Sequence, residues 1–154
     1  MKRALVAVAF LSVAHSQATD WPQWRGSNRN GISPEKLSAR WPADGPVVLW
    51  RASVGTGFSS VSVSQGRAYT MGNTNDQETV WCLDALTGKE IWKHTYPSKL
   101  GAVYHEGGPV STPTIQSNRI FTLSKWGDVF CLDAAKGTII WEHDLRHDGV
   151  ISNR

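Results

Sequence analysis

The side chains best placed to do chemistry stand together in one stretch, Tyr104-His105-Glu106-Gly107-Gly108. It offers an imidazole base, a carboxylate able to bind a cation, and two glycines through which backbone can approach a ligand. It reads equally well as a surface loop whose glycines let it turn inward. Trp126 has a ring that can stack on a planar ligand or cover a sheet edge. His94 and His143 recur at matching places 49 residues apart. That places them on separate structural units and argues against a shared metal. Glu106 is the one Asp or Glu in residues 95–110, and one carboxylate is a poor calcium cage, since calcium takes about six to eight oxygens. The sequence contains no Cys-x-x-Cys and no nucleophile elbow.

What must position these residues is a repeat. Residues 80–94, VWCLDALTGKEIWKH, return as residues 129–143, VFCLDAAKGTIIWEH. Val80, Cys82, Leu83, Asp84, Ala85, Gly88, Trp92 and His94 each meet an identical residue 49 positions on. A period near 50 built from short strands is that of a propeller or a similar array. Residues 80–84 are apolar on both faces, as in a strand covered on both sides. Asp84 and Asp133 end that strand, each with a short side chain able to accept a backbone N–H from the next turn. Gly88 and Gly137 supply the left-handed conformation of a tight loop. Trp92 and Trp141 are expected to dock between neighbouring sheets.

The phrase LDALTGKEIW, residues 83–92, resembles the signature of the pyrroloquinoline quinone (PQQ) repeat-like β-propellers. The second copy, LDAAKGTIIW, has Lys136 where the first has Thr87, so one hydroxyl of the turn is lost. The resemblance implies an all-β fold: a partial β-propeller with two complete four-stranded antiparallel blades plus one lone strand of a closing blade. The strands are expected at 59–63, 67–71, 79–84 and 89–94, then at 111–115, 119–124, 128–133 and 138–143. The lone strand is residues 47–53, in which Leu49-Trp50-Arg51 aligns with Ile91-Trp92-Lys93. Two blades cannot close a ring that needs at least about four, so residues 46–154 read as a propeller fragment.

The resemblance also sets two function classes side by side. One is an exported propeller of the outer-membrane-assembly type that binds protein or polymer partners through its loop face and is not catalytic by itself. The other is a fragment of a quinoprotein dehydrogenase that uses PQQ and calcium to oxidise alcohols or sugars. The adjacent cysteine pair of many PQQ-dependent alcohol dehydrogenases is missing here, which tilts against that class. In a four-stranded antiparallel blade, residues 52–58, 73–78, 95–110, 125–127 and the stretch after 144 emerge at one end. That loop face collects the longer and more variable segments, so it is the candidate site, with Tyr104, His105, Glu106 and Trp126 as cofactor-binding candidates. The Asp84, Gly88, Trp92 set and its copy, Asp133, Gly137, Trp141, are assigned to structure. The first blade carries three extra residues in 73–78, read as a loop insertion.

Residues 1–18 have Lys2 and Arg3, an apolar run and small residues at Ala14, Ser16 and Ala18, the pattern of a signal peptide, with cleavage placed between Ser16 and Ala18. The apolar run is far shorter than the ~20 residues needed to span a bilayer. An exported chain, periplasmic or secreted, is the expectation. Without Lys2 and Arg3 the basic residues number 14 against 13 acidic ones, and no basic run interleaved with aromatics remains, so nucleic acid is not an expected partner. Residues 19–45 are an irregular lead-in in which Trp21, Trp24 and Arg25 are expected to pack against the propeller wall. Cys82 and Cys131 occupy equivalent places in sheets about 10 Å apart, beyond the ~7 Å Cα reach of a disulfide, and are expected to be free, buried thiols.

Overall fold

The computed structural model describes residues 19–36, 40–103 and 105–149. The leader assigned to 1–18, and Tyr104, lie outside the described residues. Every regular element among them is a strand: β1 (Ser62–Ser64), β2 (Arg67–Thr74), β3 (Gln77–Asp84), β4 (Glu90–Pro97), β5 (Thr114–Gln116), β6 (Arg119–Leu123), β7 (Asp128–Asp133) and β8 (Ile139–Asp144). They form two four-stranded antiparallel sheets in the orders β1-β2-β3-β4 and β5-β6-β7-β8. These are the two expected blades.

The turn chemistry follows the repeat closely. Asp84 Oδ1 accepts the Leu86 and Thr87 N–H groups and the Thr87 hydroxyl, which together hold its carboxyl below its ordinary range. Asp133 Oδ1 accepts the Ala135 and Lys136 N–H groups at 2.9 Å without the hydroxyl that Lys136 cannot supply. A register shift repeats between Cys82 and Leu83 and between Cys131 and Leu132. Both cysteines are buried and free.

The seam between the sheets is built on the tryptophans. Trp92 is 8% exposed, and its indole N–H donates to Ala134 O at 3.1 Å. Its ring lies flat on Gly137, where an added Cβ would stand 2.4 Å from the ring. Tyr69, Met71, Val80, Cys82 and Tyr96 share that face of the first sheet and meet Ile120, Phe130 and Leu132 of the second.

Four expectations need correction. Residues 47–53 carry no strand ladder, because no partner strand stands beside them among the described residues. Trp50 nonetheless repeats the seam, donating to Ala85 O at 3.1 Å with its ring on Gly88. Trp141 is 42% exposed rather than packed; it keeps its aromatic neighbour Phe121 but has no turn to dock on among the described residues. The innermost strands start three residues later than expected, at Ser62 and Thr114. Lastly, the three-residue insertion extends the ladder to Thr74↔Gln77, with Asn75 (φ 54°) and Asp76 (φ 59°) forming the two-residue turn. Both types tolerate the left-handed region that such hairpins require.

The lead-in divides. Trp21 pairs with Val63 of β1, and Pro22 O accepts the Ile115 N–H of β5, so residues 21–22 cover the free edges of the two innermost strands. Trp24 and Arg25 are exposed, because the chain turns away after Gln23.

Candidate functional site

The loop face is held together by the hairpin tip of the first sheet, the crossover of residues 98–110, and the β6–β7 turn. Asp76 O accepts the Ser98 N–H, and Asp76 Oδ1 accepts the Leu100 N–H at 2.8 Å. Asn73 Nδ2 donates to Ser98 O at 2.8 Å. From the second sheet, Trp126 Nε1 donates to Lys99 O at 2.6 Å and Lys125 Nζ donates to Gly101 O at 2.5 Å. Ser124 Oγ organises that turn, accepting the Trp126 and Asp128 N–H groups and donating to Asp128 Oδ2. Arg146, after β8, bridges Asp128 and Asp144, and its hydrogen bonds draw the Asp144 carboxyl down to about 2.

Asp76 fills two roles, since its backbone takes a left-handed turn while its carboxylate caps the crossover. Asp76→Ala is therefore expected to cost about 1–2 kcal/mol, from the strained turn and the lost acceptor, while Asp76→Asn keeps both functions and costs little. Urea unfolding of the two variants checks this; equal losses would show that the carboxamide cannot replace the cap.

The candidate residues are dispersed over this face. His105 is exposed, with its Nδ1 accepting the Gly107 N–H at 3.0 Å and its ring edge-on to Phe58 at 5.0 Å. Glu106 is exposed. Gly107 and Gly108 turn inward: an added Cβ on either would lie 2.4 Å from a backbone oxygen, of Leu100 or of Thr56. Their close approach is to the chain's own backbone. Trp126 covers Gly101 with its ring and lines a cleft of about 590 Å³ together with Asp76, Gln77, Lys99 and Arg146. Neither His105 nor Glu106 lines that cleft. His143 hydrogen-bonds the Asp148 carboxylate and His147 lies 3.6 Å from that of Asp144, and among the described residues no three His, Cys, Asp or Glu groups converge.

A second aromatic feature lies nearer the innermost strands. Trp24 is 63% exposed and Phe58 54% exposed, and with Val110, Ser111 and Thr112 they line a pocket of about 330 Å³.

The polar group that the sequence reading missed is Glu78. It is 1% exposed, on the seam face of β3, and accepts a hydrogen bond from the Tyr96 hydroxyl. Burial pushes its carboxyl above the ordinary range and the Asp128 charge adds to this, while the hydrogen bond from Tyr96 and the nearby Ser98 hydroxyl act in the opposite direction. Burial and the Glu78 charge drive the Tyr96 hydroxyl far upward. The available signal was alternation: Glu78 stands two residues before Val80, so extending the strand backward puts it on the buried face.

The sequence of residues 36–149 matches the family described as outer membrane protein assembly factor BamB. The chain belongs to that family. BamB from Moraxella catarrhalis superposes with a TM-score of 0.44 at 18% identity, over 56% of this chain and 23% of that one. A quinohemoprotein alcohol dehydrogenase from Comamonas testosteroni gives 0.59 at 20% identity, over 85% and 20%. A europium-containing methanol dehydrogenase gives 0.41 at 20% identity, over 58% and 15%. At these identities the likeness is one of fold, shared by the BamB family and the quinoprotein dehydrogenases. The chain spans less than a quarter of the length of these three solved proteins. No curated protein sequence matches it. No helix of the described residues is long and apolar enough to cross a membrane.

Proposed function

We propose that the chain is part of an exported propeller that binds protein or polymer partners through its loop face. The carrying observation is the exposed aromatic pair Trp24 and Phe58, which with Val110 line a pocket beside the crossover. Contiguous exposed apolar groups of this kind mark interaction surfaces. Membership of the BamB family supports the reading.

The alternative, a dehydrogenase using PQQ and calcium, shares the fold, as the Comamonas enzyme shows. Among the described residues no three His, Cys, Asp or Glu groups converge as a calcium site would need. Glu106 is the sole carboxylate of residues 95–110, it is exposed, and the nearby Asp76 carboxylate is committed to the Leu100 N–H.

Both readings meet in one experiment on the full-length protein. A photo-crosslinking residue at Val110, on the loop face, is expected to give adducts in the cell envelope, while one at Leu86, exposed on the opposite turn face, gives none. In parallel, the purified protein is incubated with PQQ and calcium and assayed for dye reduction with alcohols and aldoses. Turnover that disappears in Glu106→Ala would overturn the binding reading, as would adducts from Leu86 alone.

A further inference from the structure

The hairpin that carries Glu78 is what distinguishes the first blade from the second. The register pairs Asn73 with Glu78 and Glu78 with Tyr96, so all three side chains emerge on the same face of the sheet, toward the second blade. The second blade turns at Lys125-Trp126-Gly127 and has no counterpart to this trio. A buried carboxyl is thus an addition to the repeat, not a requirement of it.

Hydrogen bonding in this cluster is incomplete in a specific way. Tyr96 donates to Glu78 Oε1, and Asn73 Nδ2 donates to Ser98 O. Asn73 Oδ1 is buried with no donor. An amide oxygen in that position is destabilising unless something donates to it. Its register partner supplies a donor only when the Glu78 carboxyl carries a proton.

Of the groups facing Glu78, the Tyr96 and Ser98 hydroxyls favour its ionised form, but burial outweighs them and no unengaged cation stands beside it among the described residues. On β4, Tyr96 is neutral. His94, whose pKa burial lowers and Glu142 partly restores, lies edge-on to Phe130 with an unpaired Nε2. On β7, Asp128 is negative, and the cation beside it, Arg146, is engaged by Asp128 and Asp144. From β6 the Thr122 hydroxyl is buried and unpaired, and so is the Ser98 hydroxyl of the crossover. Lys99 belongs to the crossover and lines the outer cleft.

We propose that Glu78 is a proton-operated latch for the crossover: when protonated it donates to Asn73 Oδ1 and so keeps Asn73 Nδ2 aimed at Ser98 O, and loss of the proton turns the amide and frees the crossover. The turn is dictated by charge. A carboxylate beside an amide oxygen is repulsive, whereas the same carboxylate accepts from Nδ2, and an amide whose Nδ2 points at Glu78 presents only its oxygen to Ser98 O. The crossover, which carries His105 and Glu106, then loses its tie to Asn73 and keeps those to Asp76, Lys125, Trp126 and the Phe58 N–H that Pro109 O accepts. Such a latch would act whichever partner the loop face binds.

The sign follows from linkage. A carboxyl whose pKa is raised in the latched state stabilises that state fully below its ordinary pKa, and the contribution is lost as pH rises through the raised value. Protection of the Leu100 and Gly108 amides against hydrogen exchange, corrected for intrinsic rates, should fall by up to about tenfold per pH unit across that window and level off above it. In Glu78→Gln, whose carboxamide both accepts from Tyr96 and donates to Asn73, protection should stay at the low-pH level across that whole window. The measurement uses the full chain. Carbon-13 NMR of the glutamate carboxyls gives an independent reading in the unsubstituted protein, so the inference remains testable even if the variant does not fold. Unchanged pH dependence in Glu78→Gln, or a Glu78 carboxyl that titrates in the ordinary range, would overturn the latch.

Discussion

Trp92→Ala is expected to destabilise the chain by about 3–5 kcal/mol, the range for truncating a buried large aromatic, whereas Trp141→Ala should cost about 1 kcal/mol or less. The two residues are equivalent in the repeat, and each has a ring neighbour at almost the same distance, Tyr69 at 6.0 Å and Phe121 at 6.1 Å. They differ in what lies on their other side. Trp92 is closed in by Gly137 and donates to Ala134 O, an oxygen that also accepts from Arg67 at 2.8 Å. Truncation opens a cavity between the sheets and removes one of that oxygen's donors. Trp141 is 42% exposed and has no receiving turn among the described residues, so its removal exposes little that was hidden. Urea unfolding of both variants measures the difference; equal losses would show that the seam contributes nothing beyond a packed ring on a sheet.

That comparison also shows why much of the fold was legible in the sequence. A seam that needs Trp, Gly and a carbonyl at fixed spacing leaves those types at fixed spacing, and Trp50 could be aligned although no ladder surrounds it. The reading of residues 73–78 as a loop rested on counting residues against the second copy. A three-residue gain looks the same whether it lengthens a loop or a hairpin, and only the left-handed tolerance of Asn75 and Asp76 distinguishes the two. From that step followed the larger omission. With 73–78 outside the sheet, Glu78 counts as a solvated charge; inside it, Glu78 occupies a buried register position opposite Asn73 and Tyr96.

The candidate site was legible in place but not in membership. Counting strand directions brings the hairpin tip, crossover and β6–β7 turn to one end, and the hydrogen bonds among Asp76, Lys99, Leu100, Gly101, Lys125 and Trp126 place them there. Residue type alone favoured His105 and Glu106 as the chemical groups. Their exposure, and the way Gly107 and Gly108 pack on backbone, make that stretch a shaped loop supported from beneath. The support is supplied by groups with no motif of their own, whose value depends on contacts between blades.

Gly137→Ala should cost about 2–4 kcal/mol, and its comparison with Gly66→Ala separates backbone strain from seam packing. Both glycines are left-handed, at φ 69° and 73°. A side chain there costs roughly 1–2 kcal/mol in either case. Nothing lies within 4 Å of a Cβ built on Gly66, whereas one on Gly137 stands 2.4 Å from the Trp92 ring. The excess at Gly137 is therefore the cost of pushing Trp92 out of the seam, and it should vanish when Gly137→Ala is made in a Trp92→Ala background. An excess that persists without the indole would mean that the turn itself is strained. The same displacement should reach the loop face. Trp126 and Lys125 hold the crossover from the second sheet while Asp76 and Asn73 hold it from the first, so a shift of one sheet against the other pulls these attachments apart. Gly137→Ala, made at the opposite end of the blade, should accordingly lower amide protection at Leu100, and Gly66→Ala should leave it unchanged.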